Sequence, residues 1–362
     1  MSSVSSVNLS LKQPCADFTP PAQSIGVWLT QGHSCQRDLI LALRQADFAD
    51  QIHIVASHSL LRPDITSVAD IAFLEPPLDE RVDWVIEQAQ RLNVKLIIAG
   101  RYGRTYLTEK HKFEQAGIRL MAGASTIEHL EQVNNKSLFT QTCTDAGLPV
   151  VPATTVSNAE QLIAAIADWA SRGGVCVKPI KGVFAAGFWR LDPNAKAFDC
   201  FANSSNFKAH PQQFIDSYAQ LETPPDYLVM PMLTGLECSV DMFCEHGNVK
   251  KAVVRYKQHD DNQRLSLNDP ARDLAVKVAA LFACDGLVNM QARYSAEGEL
   301  YILEINPRPS GGIGYTMHSG VNLIATAVAH GLGITQQPTN TADISESGAL
   351  VRAITTSVRV DG

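Results

Sequence analysis

The chain has 362 residues, 45% of them hydrophobic and 19% charged, with a formal net charge of −7. That length exceeds one ordinary core and predicts two or three units. The acidic balance argues against a nucleic-acid surface, which needs a basic face, and no apolar run approaches the ~20 residues that span a bilayer.

Residues 1–23 lack a basic start, an apolar centre and a cleavage site, and are expected to be a disordered tail on a cytoplasmic protein. The cysteines (Cys15, Cys35, Cys143, Cys176, Cys200, Cys238, Cys244 and Cys284) form no C-x-x-C pair, so free buried thiols are expected. From Ser24 to Gly100, strand-like runs SIGVWLT, QIHIVASH and VKLIIAG alternate with helical patterns, which predicts a parallel sheet with crossover helices. Gly32 stands alone after the first strand, where a dinucleotide fingerprint needs three glycines, so His33 and Cys35 read as a loop pair. Arg101 and Arg104, in GRYGRTY, are candidates to meet an anionic substrate.

Ser125 and Glu128 form a candidate capping box ahead of a helical stretch, and Gly147, Pro149 and Pro152 stop the helix that contains Leu138, Phe139 and Cys143. Lys136, near the start of that helix, needs no special explanation by itself. Lys178 does, because VCVKP reads as a buried strand, and an inward lysine there must find an anion or lose its proton. The following loop, KGVFAAGFW with Gly182 and Gly187, is built of small residues that let backbone amides approach phosphate oxygens. Lys181 and Phe184 are lid or plain surface.

After a helical insert at 192–225, DYLVMPMLTGLECSVDMFCEHGNVKKAVVRYKQ predicts a strand, a turn and two further strands, and HDDNQRLSLND reads as a polar flap. Asp269 and Pro270 open a core helix. Two strands follow, LVNMQARY and LYILEIN; if Tyr294 pairs with Tyr301, Gln291 faces Glu304 and Asn289 faces Asn306. Gln291, Glu304 and Asn306 then supply three oxygen ligands with one carboxylate, a set suited to Mg²⁺ and poorly suited to zinc. The exit loop RPSGGIG offers Arg308 and backbone amides as an oxyanion site. Residues 348–360 are expected to add an edge strand, with Arg352 and Arg359 solvated.

In this order, a lysine at a helix start, a strand lysine with a small-residue loop, a hinge with an acidic end and E-I-N-P-R resemble the ATP-grasp superfamily. The loop GVFAAGFWRL and the exit E-I-N-P-R-P-S-G-G look most like its carbamoyl-phosphate-synthase-like and tellurium-resistance-associated branches. The resemblance implies an α/β (α+β) fold: a Rossmann-like parallel-sheet domain at 24–124, then two α+β lobes, 125–195 and 196–362, enclosing the nucleotide. It implies that Lys136 and Lys178 contact ATP phosphates, that Met230 to Leu233, with Met232, receive the adenine and that Glu237 receives the ribose. The family often has Glu where Met230 stands, which shifts adenine recognition toward backbone carbonyls. Two Mg²⁺ ions, or Mn²⁺ in their place, are implied at Gln291, Glu304 and Asn306, with Glu304 bridging. Arg255 is expected at the γ-phosphate or acyl phosphate, with Lys251 as competitor. The implied reaction joins a small-molecule carboxylate to an amine through an acyl phosphate, with no nucleic-acid or membrane partner and with a homodimer as the open possibility. A kinase acting on a hydroxyl and a non-catalytic nucleotide-binding protein are the alternatives.

Overall fold

The computed structural model describes residues 19–21, 23–32, 34–181, 186–202, 207–258, 260–335 and 348–354, in two compact units. One unit combines 1–130, 238–290 and 305–362; the other combines 131–237 and 291–304.

The first unit opens with β1 (Ile25–Leu29), β2 (Ile52–His58), β3 (Ile71–Leu74), β4 (Val94–Ile98) and β5 (Arg119–Met121), all parallel in the order β3-β2-β1-β4-β5. Alternation along each strand divides its side chains between two cores. Val27, Leu29, Ile54 and Ala56 face one, and Trp28 and Val55 face the other. Strand order reverses between β1 and β4, and the loops leaving their carboxyl ends are where such sheets place ligands. A short β6 (Gly123–Ala124) leaves this sheet to pair elsewhere.

In the second unit, β7 (Thr154–Val156), β8 (Val175–Pro179), β9 (Trp189–Leu191), β10 (Lys208–Ala209) and β11 (Tyr227–Pro231) form one sheet, ordered β10-β9-β8-β11-β7. Helix Lys136–Asp145 is capped by Asn135, whose Oδ1 accepts from the amides of Ser137 and Leu138, and ends at Gly147 with φ +68. The unit runs through 237, past the expected lobe boundary at 195/196, because β11 pairs with both β8 and β7.

The remaining strands are β12 (Glu237–Glu245), β13 (Asn248–Lys257), β14 (Gln263–Ser266), β15 (Cys284–Tyr294), β16 (Leu300–Asn306) and β17 (Leu350–Val351). Their sheet runs β16-β15-β12-β13-β14-β17, with β6 also on β15. The hairpin end of β15 and β16 belongs to the second unit. In the first unit, helix Leu323–Leu332 is buried along its first seven residues and shares a core with β1, β4 and β13. Gly331 permits its close approach to the parallel sheet, since a Cβ there would lie 2.8 Å from Leu96.

Three expectations change. The polar flap contains β14, held between β13 and the edge strand β17, so its middle is sheet. The helix cap at 125–128 falls to Thr126, whose Oγ1 accepts from the His129 amide, while Ser125 donates to the Ala283 carbonyl. The β15–β16 turn is a three-residue loop with Gly298 at φ +87, and Ser295 N–H donates to the Glu299 carbonyl at 2.8 Å. Such a loop sets Tyr294 against Leu300 at the first rung, one residue earlier than the Tyr294–Tyr301 pairing expected. Among the described residues no helix is long and apolar enough to cross a membrane.

Candidate functional site

In the second unit, β8 and β11 pair Cys176 with Met230 and Lys178 with Leu228. Period-two alternation turns Val175, Val177 and Val229 toward the helices, and turns Cys176, Lys178, Leu228 and Met230 to the opposite face. Lys178 is therefore the one cation on an otherwise apolar strand face. Its Nζ lies 3.6 Å from Glu304 Oε2 and donates to the Leu303 carbonyl at 3.4 Å, with 15% of the side chain exposed. Burial holds the Lys136 ammonium below the ordinary lysine value, with Glu304 pulling it up and Lys178 pushing it further down. Two lysines and one carboxylate thus converge with an excess of positive charge.

Beside them is an apolar cluster of Val151, Cys176, Leu228 and Met230, with Met232, Leu233, Tyr301 and Leu303 packed against it. The Met232 amide donates to the Gly174 carbonyl at 2.7 Å. Arg293 was not foreseen: its Nη1 donates to the Leu233 carbonyl at 3.1 Å and its Nη2 to Glu237 Oε2 at 2.8 Å. One guanidinium therefore ties together two residues expected at the adenine and the ribose. The sequence signal for it is a basic residue two positions beyond Gln291 on a strand, where side chains return to the same face. Gly235 must be glycine here, because a Cβ would lie 2.6 Å from the Tyr294 carbonyl oxygen.

Gly187 takes φ +76, and a Cβ there would meet Pro179 and the Tyr227 hydroxyl at 3.0–3.1 Å. It turns the chain tightly back onto β8. Gly182 and Phe184 lie outside the described residues, and Lys181 is exposed.

In the first unit the exit loop is braced from within. Arg308 donates to Asn306 Oδ1 at 3.2 Å. Arg255 is buried, and each guanidinium nitrogen has a partner: Nε on Asp241 at 2.6 Å, Nη1 on Gln263, and Nη2 on Ser310 Oγ at 2.9 Å. Asn289 donates to the other Asp241 oxygen at 2.9 Å. A small cavity at the carboxyl ends of β1 and β4 is lined by Leu29, Thr30, Cys35, Ile98, Gly100 and Arg308, which brings the exit arginine to the parallel sheet's ligand crevice. Burial first, then the charges of Asp38 and Asp241, push the Cys35 thiol up to about 12, with Arg308 acting the other way. Arg101 and Arg104 are exposed, with Arg101 over the Tyr102 ring, and His33 lies outside the described residues.

The expected metal donors divide between the units: Gln291 and Glu304 belong to the second and Asn306 to the first. All three offer oxygen, which fits a hard divalent cation, but the register at the turn removes the pairing argument that set Gln291 opposite Glu304. No group of three or more His, Cys, Asp or Glu able to hold a metal occurs among the described residues.

Residues 223–356 match a family described as ATP-grasp in the biosynthetic pathway with the Ter operon. The arginine-specific carbamoyl phosphate synthase large chain of Geobacillus stearothermophilus is 26% identical over 258 residues, 67% of this chain and 22% of that one. This chain thus spans about a fifth of that relative's length. An N5-carboxyaminoimidazole ribonucleotide synthetase, solved with ADP, superposes with a TM-score of 0.63 at 18% identity over 89% of this chain and 80% of its own. The biotin carboxylase domain of the Hydrogenobacter thermophilus 2-oxoglutarate carboxylase, solved with MgADP, ADP and bicarbonate, gives 0.62 at 17% identity over 86% and 70%. At these identities the structural likeness is one of fold.

Proposed function

We propose that this chain, an ATP-grasp superfamily protein by its sequence matches and its fold, is an ATP- and Mg²⁺-dependent ligase joining a small-molecule carboxylate to an amine. The observation that carries the reading is the convergence of Lys136, Lys178 and Glu304 beside an apolar cluster. A polyphosphate suits two neighbouring lysines, and an adenine ring suits the apolar surface around Met230.

In this reading Lys136 and Lys178 draw charge from the β- and γ-phosphates. Met230, Met232 and Leu233 receive the adenine. Glu237, held by Arg293, receives the ribose hydroxyls. Gln291, Glu304 and Asn306 would hold Mg²⁺, which neutralises phosphate charge when bound. A carboxylate oxygen attacks the γ-phosphorus and ADP leaves; the amine nitrogen then attacks the acyl carbon and phosphate leaves. Arg308, with the amides that follow it, stabilises the acyl phosphate oxygens. Arg255 acts through Ser310, fixing that loop.

The relatives' names and the nucleotide, magnesium and bicarbonate of the solved neighbours support this class of chemistry, with small-molecule substrates. The test measures ADP and phosphate together over panels of carboxylic acids and amines. A ligase releases both in equal amounts; ADP without phosphate would identify a kinase acting on a hydroxyl, and neither product would leave a nucleotide-binding scaffold.

A further inference from the structure

The cavity at the carboxyl ends of β1 and β4 lies wholly within the first unit, together with Arg308. Its volume is about 20 Å³, room for a water or a methyl-sized group and a little more. What suits it depends on the walls. Leu29, Cys35, Leu39 and Ile98 belong to one hydrophobic core, and Pro309 continues the apolar lining beside the exit arginine.

The polar groups in and behind these walls are committed to one another. Gln36 is buried; its Nε2 donates to the Leu29 and Ser57 carbonyls at 3.0 Å each, and its Oε1 accepts from the Gly32 amide at 3.3 Å. Thr30 Oγ1 accepts from the Gly100 amide at 3.1 Å. Behind them Glu75, buried with Arg81, accepts from the Gln31 amide at 2.9 Å and from Ser57 Oγ at 2.7 Å, while the Arg101 amide donates to the Gln31 carbonyl at 2.6 Å. The loops leaving β1 and β4 are thereby fixed, and the cavity between them is preformed. Burial also keeps the Cys35 thiol neutral. A water wants about three polar partners, which such walls supply poorly, so an alkyl group suits the space better.

Arg308 gives one end the opposite character. It is the one charged residue among those lining the cavity, and a guanidinium can meet a carboxylate through two parallel hydrogen bonds. Of the acids whose charge reaches the Cys35 thiol, Asp241 is paired with Arg255 at 2.6 Å and Asp38 is offset by Arg37.

We propose that this crevice binds a short-chain aliphatic carboxylate, with the alkyl chain in the cavity and the carboxylate on Arg308. Such binding needs nothing from the second unit and does not depend on the ligase reading; under that reading, the ligand is the acid to be activated.

Ligand-observed NMR on the whole chain, without nucleotide, measures binding of the straight-chain acids from acetate to octanoate. Each carbon that enters should tighten binding about fourfold, and each carbon beyond the cavity should weaken it about tenfold, with propionate or butyrate at the optimum. The alcohol of matching length should bind about tenfold more weakly than the acid, a difference that Arg308→Met removes. Cys35→Leu, which fills the cavity, should move the optimum to acetate. Leu39→Ala, which enlarges it, should move the optimum to a longer acid. Opposite shifts exclude a general loss of folding, which would weaken every acid alike in both variants. An affinity indifferent to chain length, an optimum that neither variant moves, or no saturable binding of any acid overturns the proposal and leaves the ligase reading to its own product assay.

Discussion

Two charge clusters, one in each unit, bring acids and bases together to opposite ends. In the first unit Asp241 and Arg255 are almost fully buried, and their side chains are saturated by each other and by Asn289, Gln263 and Ser310. In the second unit Lys178 and Glu304 approach only to 3.6 Å, stay partly exposed, and share their space with a second lysine whose ammonium is disfavoured. The first arrangement holds a loop in place. The second brings two lysines to one carboxylate in a partly exposed place, where an incoming polyanion can add opposite charge.

Substitution should separate the two. Lys178→Ala is expected to lower ATP turnover by roughly 10³-fold, read as ADP release, with little change in the urea midpoint. Arg255→Ala leaves Asp241 buried without its cation and should cost about 3–5 kcal/mol of stability, read from urea unfolding. If Lys178→Ala unfolds the protein and Arg255→Ala merely slows it, the contrast between the clusters is wrong.

The contrast extends to the hinge, where Arg293 is held through both Nη atoms but its partner Glu237 is expected to serve ligand. Arg293→Met should raise the KM for ATP roughly tenfold, the loss of one charge-assisted contact. It should also narrow the preference for ATP over 2′-deoxy-ATP, because Glu237 is no longer aimed at the ribose. An undiminished preference for the ribonucleotide would show that Arg293 does no more than brace the strand.

How much of this was readable from the residues follows from how far apart the partners lie in the chain. Lys178 stood out locally as a charge within VCVKP, and Gly147 and Asp269 marked helix ends by their own chemistry. Strands β1, β2 and β4 were equally plain as short, mostly buried runs, whereas β3 was not read because its four residues carry no pattern of their own. Arg293 was missed because its partners, Leu233 and Glu237, are 60 and 56 residues away. The supposed flap became β14 for the same reason: it pairs with β17, and Gln263 meets Val351. The one-residue shift at the β15–β16 turn came from the glycine bulge at Gly298, which constant-sum pairing ignores. Arg255 was visible as a basic residue on a strand, but its commitment to Asp241 and Ser310 depends on contacts that no local pattern carries.

The smallest expected effect tests the two-lysine cluster most directly. In the free protein, burial and the neighbouring Lys178 keep the Lys136 ammonium easier to deprotonate than an ordinary lysine. Just below the ordinary lysine pKa a fraction of Lys136 is therefore neutral. Bound triphosphate would bring opposite charge beside it, favour the ammonium and raise its pKa, so binding must take up protons in that alkaline window. Calorimetric titration of ATP in buffers of different ionisation enthalpy measures this uptake. It should be a fraction of one proton per site, and Lys136→Met should remove it. Proton release in that window, or uptake that survives the substitution, would mean that Lys136 does not meet the phosphates, and the charge excess in the second unit would need another explanation.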